Sequence, residues 1–351
     1  MELLVREFGS EYHWQANSHF LLPEGSNFQD AKKYRSGRDA LKAVAAKMAG
    51  KYSSVLLPAL CCQSMVDPFT LYGIQPVFYR LKADYTADLN DLQSKMTGKS
   101  LLLYGSYFGI DPIGQAELMQ LKKDFPEALF LEDRTQDILV PRTGGFTPDV
   151  TIASIRKWTA IGDGGLLWSE TYDFEPGVKN SRFADMRKTA MVQKSQYLAN
   201  GDTALKDSYR HLLGEASALL DEDKTVYAMT EESAALLARL DLEKMLRLRQ
   251  KNAKVLLDKL EGKVPLITKY PERSTLYFPI LVENQGAVQS ALAKKGIYCP
   301  VIWPVPEEAT GVCPVAHYTA EHMLGVPCDH RYTTDDMKFI ADEIVRILNA
   351  E

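Results

Sequence analysis

Lys157 lies in a segment whose residue types suit covalent chemistry on a carbonyl compound. It sits between two apolar, strand-like runs and is followed by the glycine-rich residues 162–165. A lysine amine condenses with an aldehyde to form a Schiff base, and glycines let the backbone approach the adduct closely. The segment therefore predicts a site for amine chemistry.

Asp133 supplies the second part of this prediction. The apolar run at residues 128–131 predicts a buried strand, and ligands of open α/β sheets bind beyond the carboxyl ends of strands, where Asp133 lies. Pyridoxal phosphate acts as an electron sink only while its ring nitrogen is protonated, which requires a facing carboxylate. Together, Lys157 and Asp133 predict a pyridoxal-phosphate site. A lone lysine, however, is more often a solvated charge, and a lone aspartate more often caps a turn.

A third group of residues opens the first strong helix of the sequence. Ser36, Gly37 and Arg38 would offer a phosphate a hydroxyl group, close backbone approach and positive charge. The N-terminus of a helix also offers unpaired N–H groups and a positive dipole potential. The pattern predicts a phosphate-binding turn. The alternative is an ordinary helix cap, made by Ser36 or Asp39, with no ligand.

Composition is consistent with an enzyme that acts on small molecules. The chain has 351 residues, of which 46% are hydrophobic, and a formal net charge of −5. This acidic balance argues against a general nucleic-acid or anionic-membrane binder. The first ten residues lack the apolar core of a signal peptide, and no run of about 18 apolar residues occurs. We expect a cytoplasmic protein with small-molecule partners.

The five cysteines do not form a metal-binding pattern. They show no C-x-x-C spacing and no matching histidine arrangement, so we expect no metal site. Cys61 and Cys62 are adjacent and could form a redox switch. Buried, reduced thiols are the commoner outcome for free cysteines.

Apolar runs alternate with helical patterns between residues 38 and 168, which predicts a mostly parallel sheet covered by helices. The predicted strands are 55–58, 76–81, 101–104, 129–132, 150–154 and 165–168, and the predicted helices are 38–49, 61–72, 88–96 and 114–124.

The remainder of the chain predicts a second, smaller domain. Residues 182–261 have the apolar spacing of long helices. They are followed by a predicted strand at 276–282, a helix at 287–295, a strand at 297–302 and a closing helix at 334–348. We predict an N-terminal segment (1–25), a large α/β domain (26–240) and a small α+β domain (241–351).

The order of these motifs resembles that of the DegT/StrS family. The similar segments are Ser-Gly-x-x-Ala-Leu at 36–41, Leu-Pro-Ala at 57–59, Glu-Asp-x-x-Gln at 132–136, and Ser-x-x-Lys with Gly-Asp-Gly-Gly at 154–165. Residues 227–231, 249–252 and 324–327 resemble later family segments. Members are fold-type I pyridoxal-phosphate aminotransferases, many of which aminate nucleotide-linked keto-sugars.

The resemblance implies a role for each matching residue. Lys157 would be the Schiff-base lysine, which also moves a proton at the substrate α-carbon, and Asp133 would face the pyridine nitrogen. These two form the expected catalytic pair. The expected cofactor-binding set is Gly37, Arg38, Asp39, Cys62, Asp133, Gln136, Ser154 and Lys157, with Gln136 at the ring oxygen and Ser154 and residues 37–39 at the phosphate.

The implied reaction moves an amino group from an amino acid donor to a keto-sugar or a similar acceptor. The resemblance also implies a homodimer with its active sites at the interface. Two other functions stay open: a pyridoxal-phosphate enzyme of another reaction type, such as a decarboxylase, aldolase or lyase, and a cofactor-binding protein without turnover.

Three positions depart from the family pattern. Cys62 stands where the family has an aromatic residue that stacks on the cofactor ring. Tyr107 and Phe108 are candidate replacements, although aromatic residues in such loops more often only pack. Residues 226–228 read Val-Tyr-Ala instead of Asn-Tyr-Arg. Arg38 replaces a threonine, and its guanidinium group could compensate by pairing with phosphate.

The two neighbours of Lys157 also need an interpretation. We expect Trp158 to anchor the loop. Arg156 stays open between contacting the substrate and anchoring the loop.

Overall fold

The largest sheet is built from the apolar runs between residues 54 and 168, preceded by one polar strand. The computed structural model describes residues 4–142, 144–221, 224–273 and 276–350. Its strands are β1 (Phe8–Gly9), β2 (Lys32–Tyr34), β3 (Ser54–Pro58), β4 (Gln75–Tyr79), β5 (Ser100–Gly105), β6 (Leu129–Asp133), β7 (Val150–Ala153), β8 (Gly165–Trp168), β9 (Phe278–Leu281), β10 (Ile297–Tyr298) and β11 (Met323–Val326).

The α-helices follow the predicted alternation with the strands. They are α1 (Gly37–Met48), α2 (Gln63–Leu71), α3 (Leu89–Lys95), α4 (Gln115–Asp124), α5 (Arg182–Asn200), α6 (Thr203–Ala218), α7 (Glu231–Ala238), α8 (Leu242–Leu260), α9 (Gln285–Ala293), α10 (Pro314–His322) and α11 (Thr334–Leu348). Short 3₁₀ helices occur at Trp14–Phe20, Ile155–Lys157 and Glu307–Ala309.

The seven strands of the main sheet have the order β2-β8-β7-β6-β5-β3-β4. The strands β4, β3, β5, β6 and β7 run parallel, whereas β8 and β2 are antiparallel to their neighbours. The predicted mostly parallel sheet is therefore confirmed. The chain leaves β3 for β4 on one side and returns to β5 on the other, which creates the switch point where open α/β sheets bind ligands.

A second hydrophobic core forms in the C-terminal part. The antiparallel strands β9 and β11 pack there with α8, α9 and α11. Helix α11 begins with a capping box in which Thr333 and Asp336 each bond the other's backbone N–H group. Phe8 also packs in this core, and β1 pairs with β10. This is the predicted smaller α+β unit, and the N-terminal segment adds a strand to it.

The sequence does not predict strands β1, β2 and β11, and one predicted strand is shorter than expected. The predicted strand at 297–302 stops at Tyr298, since Pro300 lacks an N–H group and Trp303 has a φ of +60°. Strand β2 was not predicted, because its Lys-Lys-Tyr sequence lacks an apolar run. It lies at the edge of the sheet, where lysines are common. Among the described residues, no helix is long and apolar enough to cross a membrane.

Candidate active site

A cavity of about 120 Å³ lies at the carboxyl ends of β3, β5, β6 and β7. This is the position that the switch between β3 and β5 favours for a ligand. Seven residues of the expected cofactor-binding set line it: Gly37, Arg38, Cys62, Asp133, Gln136, Ser154 and Lys157. Segments that are more than 100 residues apart in the chain therefore meet around one small space.

The N-terminus of α1 forms one wall of the cavity. Ser36 caps the helix by accepting a 3.1 Å hydrogen bond from the N–H group of Asp39 to its Oγ. A Cβ atom on Gly37 would lie 3.0 Å from the Cβ of Ser154, so only glycine lets the helix approach Ser154 without displacing it. A Cβ on Gly165 would lie only 2.0 Å from the carbonyl oxygen of Ser36, so β8 also needs a glycine here. These contacts bring helix N–H groups and the Ser154 hydroxyl to one point.

Asp39 is the one member of the expected set that the structure does not place on the cavity wall. Its buried carboxylate accepts two 3.0 Å hydrogen bonds from Arg35 and one of 2.5 Å from the Ser36 hydroxyl. The expectation that the turn at residues 37–39 binds the phosphate stays a prediction. The side chain of Asp39 holds the turn that presents Gly37.

Lys157 ends a 3₁₀ turn that follows β7. Its side chain is accessible to a ligand because it lines the cavity. The cavity itself is surrounded by protein atoms. Burial lowers the pKa of Lys157. Arg156 and Arg38 lower it further, whereas Cys62 and Asp133 oppose the shift. A lowered pKa increases the fraction of neutral amine, which is the nucleophilic form.

Trp158 fixes the backbone on the far side of Lys157. The indole is fully buried, and its Nε1 donates a 2.8 Å hydrogen bond to the carbonyl oxygen of Thr135. Arg249 lies over the indole ring and donates a 2.9 Å hydrogen bond to the carbonyl oxygen of Trp158. These are the contacts of an anchor, as the sequence predicts.

Asp133 closes the end of β6 beneath the cavity. Its Oδ1 accepts a 2.8 Å hydrogen bond from the N–H group of Thr135. Burial raises the pKa of Asp133, and the hydrogen bonds from Thr135 and the charge of Lys157 oppose that shift. Gln136 is buried on the same wall. An aspartate in this setting gains from a cationic partner, because a nearby positive charge favours its ionised form.

Tyr107 and Trp303 supply aromatic surface where Cys62 supplies none. Tyr107 lines the cavity and donates a 2.5 Å hydrogen bond to the carbonyl oxygen of Leu60, whereas Phe108 is buried away from the wall. Trp303 also lines the cavity, with its ring edge-on to Tyr107 at 5.6 Å. The Cys62 thiol lies 2.9 Å from the Ser64 hydroxyl.

Trp303 is a site residue that sequence reasoning missed. It lies 146 positions after Lys157 in a segment without a motif, so only folding brings the two together. Its φ of +60° is a conformation that bulky residues rarely adopt. Such backbone strain persists mainly where the surrounding structure requires it, often at functional sites.

The remaining departures lie beside the turn of α1. Arg38 lines the cavity and forms an ion pair with Asp221. Tyr227 accepts a 2.8 Å hydrogen bond at its carbonyl oxygen from the N–H group of Arg35, and its ring lies 4.2 Å from the Arg35 guanidinium. Residues 226–228 therefore pack against the turn that carries Gly37. Among the described residues, no group of three or more His, Cys, Asp or Glu side chains could hold a metal ion.

No family model and no curated protein sequence matches the chain. Solved structures do match it along nearly its whole length. Helicobacter pylori PseC, an aminotransferase involved in pseudoaminic acid biosynthesis, has a TM-score of 0.69 at 13% identity, covering 99% of this chain and 100% of its own. A DegT DnrJ EryC1 StrS aminotransferase from Brucella abortus has a TM-score of 0.61 at 17% identity, covering 91% and 86% of the two chains.

A third similar structure is the PLP form of Spr1654 from Streptococcus pneumoniae. Its TM-score is 0.64 at 14% identity, covering 98% of this chain and 93% of that one. The chain has the fold of these proteins. The predicted fold-type I architecture, with its large sheet and smaller C-terminal unit, is thereby confirmed. At this level of identity the likeness establishes the fold alone.

Proposed function

We propose that the protein is a pyridoxal-phosphate-dependent aminotransferase related to the DegT/StrS family, with an amino acid as donor and a keto-sugar or similar carbonyl compound as acceptor. One observation carries the proposal: the cavity at the switch point is lined at once by Lys157, Asp133, Gln136, Ser154 and Gly37. The structural neighbours support it, since PseC is an aminotransferase and Spr1654 is known in PLP and PMP forms.

The residues present fit pyridoxal phosphate. The close approach of Gly37 to Ser154 leaves a cradle that a Cβ would fill, beside a helix N-terminus that favours an anion. Arg38 adds a positive charge at the same wall. For the ring of the cofactor, Asp133 provides a carboxylate that can face the ring nitrogen, and Gln136 provides an amide for the ring oxygen.

When bound, pyridoxal phosphate would supply an aldehyde and a ring that accepts electron density from the substrate. Lys157 would hold the cofactor covalently through its amine, whose pKa is lowered by burial and by Arg156. Once a substrate amine has displaced it, the same lysine would take the proton from the substrate α-carbon. Asp133 would keep the proton on the ring nitrogen, because the positive charge of a protonated ring nitrogen favours an ionised carboxylate facing it.

We also propose that the protein is a cytoplasmic homodimer. The proposal rests on the family resemblance, in which the partner subunit completes the site. Sedimentation or gel filtration of the pure protein measures this directly, and a monomer that transaminates at full rate would contradict it.

A donor and acceptor screen by half-reaction spectroscopy tests the proposed function. The purified protein should be yellow, and its visible band should shift when L-glutamate is added and return with a keto acid or keto-sugar. A cofactor-loaded protein whose band ignores every amino donor would favour binding without turnover. Release of carbon dioxide or fragmentation of the donor would favour another reaction type.

A further inference from the structure

A second chamber, of about 660 Å³, adjoins the cofactor cavity. Arg156 and Lys157 lie on the walls of both. The chamber is lined by distant parts of the chain: Ser10 to Tyr12, helices α6 and α9, Tyr277, and the residues around β10. A substrate that reacts at Lys157 therefore has room to extend in this direction.

The chamber carries an excess of positive charge. Arg156, Lys157, Lys206 and Arg210 line it, and Glu11 is the one acidic side chain on its wall among the described residues. Most of these charges are already neutralised or solvated. Lys206 lies 2.6 Å from Glu7, and Arg210 is exposed at the edge.

Glu11 forms its ion pair with a different cation, Arg187. Its carboxylate accepts a 3.0 Å hydrogen bond from Arg187, and that charge holds the pKa of Glu11 at about 2 against the effect of burial. Glu11 is thus committed to Arg187 and only partly offsets the charge of Arg156. The excess charge at the junction with the cofactor cavity rests on Arg156.

Arg156 makes no side-chain hydrogen bond within the described part of the chain. Its Nε is buried and has no partner, and its guanidinium lies 5.8 Å from the ring of Phe183. Burial and Arg187 lower its pKa to about 10, so it stays protonated near neutral pH. A half-buried guanidinium without a hydrogen-bond partner is costly, because the lost hydration is not fully replaced and Glu11 offsets only part of its charge. This geometry favours an anionic ligand beside the Arg156 guanidinium.

We propose that Arg156 binds the α-carboxylate of amino acid substrates at the junction of the chamber and the cofactor cavity. This inference rests on the proposed function. An α-carboxylate is attached to the carbon that bears the reacting amine, so it must lie close to Lys157, where Arg156 is. A phosphate on a sugar would lie several bonds farther out, towards Arg210.

Arg156 is also suited to this ligand by its chemistry. The planar guanidinium matches a carboxylate with two parallel hydrogen bonds. The chamber beyond it is lined by the tyrosines at 12, 209, 277 and 298, which surround the space for the rest of the substrate with aromatic rings. Arg156 would thus bind the α-carboxylate next to the reacting carbon, and the chamber would hold the side chain of the substrate farther out.

The test compares the holoenzyme with Arg156→Gln, Arg156→Lys and, as a matched control, Arg210→Gln. The half-reaction is followed with L-glutamate and with its α-amide, L-isoglutamine, which lacks only the α-carboxylate charge. We expect Arg156→Gln to slow glutamate by about 10- to 100-fold, as for loss of a hydrogen bond to a charged group, and isoglutamine by less than about threefold. Arg156→Lys should recover part of the preference, and Arg210→Gln should keep it.

Calorimetric binding of succinate and of inorganic phosphate to the holoenzyme gives a readout that does not depend on turnover. Loss of succinate binding in Arg156→Gln, but not in Arg210→Gln, supports the proposal. An unchanged preference for glutamate, or a dependence on Arg156 for phosphate but not succinate, overturns it. A wild-type protein that carries no cofactor or reacts with no donor contradicts the proposed function instead, so the two failures are distinguishable. Thermal unfolding of each variant identifies any that misfold, and Arg156→Lys then carries the test.

Discussion

The cavity at the strand ends and the adjoining chamber differ in size and in the parts of the chain that form them. The cavity lies where parallel strands end, and two of its charged groups have protein partners: Arg38 pairs with Asp221, and Asp133 accepts a hydrogen bond from Thr135. The chamber is larger, is lined by distant segments of the chain, and shares with the cavity Arg156, whose side chain has no hydrogen-bond partner among the described residues. Under the proposed function, the cavity would hold the cofactor, which does not vary, and the chamber would select the molecule that reacts with it.

The largest predicted effect concerns Asp133, which lines the cavity at the end of β6. Asp133→Asn should lower the half-reaction rate with every donor by about 10²- to 10³-fold, as for loss of one preorganised electrostatic group. The amide keeps the shape but cannot hold the proton of the ring nitrogen. Stopped-flow absorbance measures the rate.

Glu132→Gln is the matched control for Asp133→Asn, since Glu132 pairs with Arg142 rather than lining the cavity. Its rate should stay near that of the wild type. An effect of Asp133→Asn on one donor but not another would assign Asp133 to substrate selection and break the comparison.

The next effect concerns cofactor affinity. Gly37→Ala places a Cβ 3.0 Å from that of Ser154 and should raise the Kd for pyridoxal phosphate by about tenfold or more, equivalent to losing one hydrogen bond to a charged group. Fluorescence titration of the apoprotein measures it. Gly214→Ala, in open space on α6, should leave affinity unchanged. Equal affinities for the two variants would show that the close approach does not matter.

A pH profile links the two regions. The neutral amine of Lys157 attacks the aldehyde, so the rate of cofactor attachment should rise with pH and level off once the pH exceeds the pKa of Lys157. Because that pKa is lowered, the midpoint should fall below the value of about 10.4 for a free lysine. Arg156→Gln removes one cause of the shift and should move the midpoint upward. A midpoint at or above the free-lysine value would contradict the electrostatic account.

The smallest effect concerns Trp303, which joins the cavity from the C-terminal half. Trp303→Ala and Trp303→Gly both lose the contact with Tyr107, but glycine accepts the φ of +60° without strain. Trp303→Gly should therefore be more stable than Trp303→Ala by about 0.5–1 kcal/mol in denaturant unfolding. The reverse order would show that the backbone at this position is not strained.

The difference between the two regions also explains what the sequence could predict. The strands at 129–133 and 165–168 follow from apolar runs. Lys157 and Asp133 are predicted from their places at strand ends, and Ser154 from the family resemblance. The role of Asp39 is ambiguous in the sequence, because a carboxylate that braces a turn has the same sequence context as one that faces a ligand. Trp303 carries no local signal.

The chamber could not be predicted for the same physical reason. Its walls come from the N-terminal segment, α6 and β10, which only the packing of the smaller unit brings together. In the sequence, Arg156 is one more basic residue beside a lysine. The side chain of Arg156 has no hydrogen-bond partner among the described residues, and only the folded structure shows this.

The most direct test of the central claim is borohydride reduction of the cofactor-loaded protein, followed by peptide mapping. Reduction fixes the cofactor to the amine that holds it, and mass spectrometry identifies the residue. The account predicts one modified peptide that contains Lys157 and loses its label in Lys157→Ala, while Lys179→Ala, an exposed lysine paired with Glu231, keeps it. A label on another lysine, or one that persists in Lys157→Ala, would contradict the account.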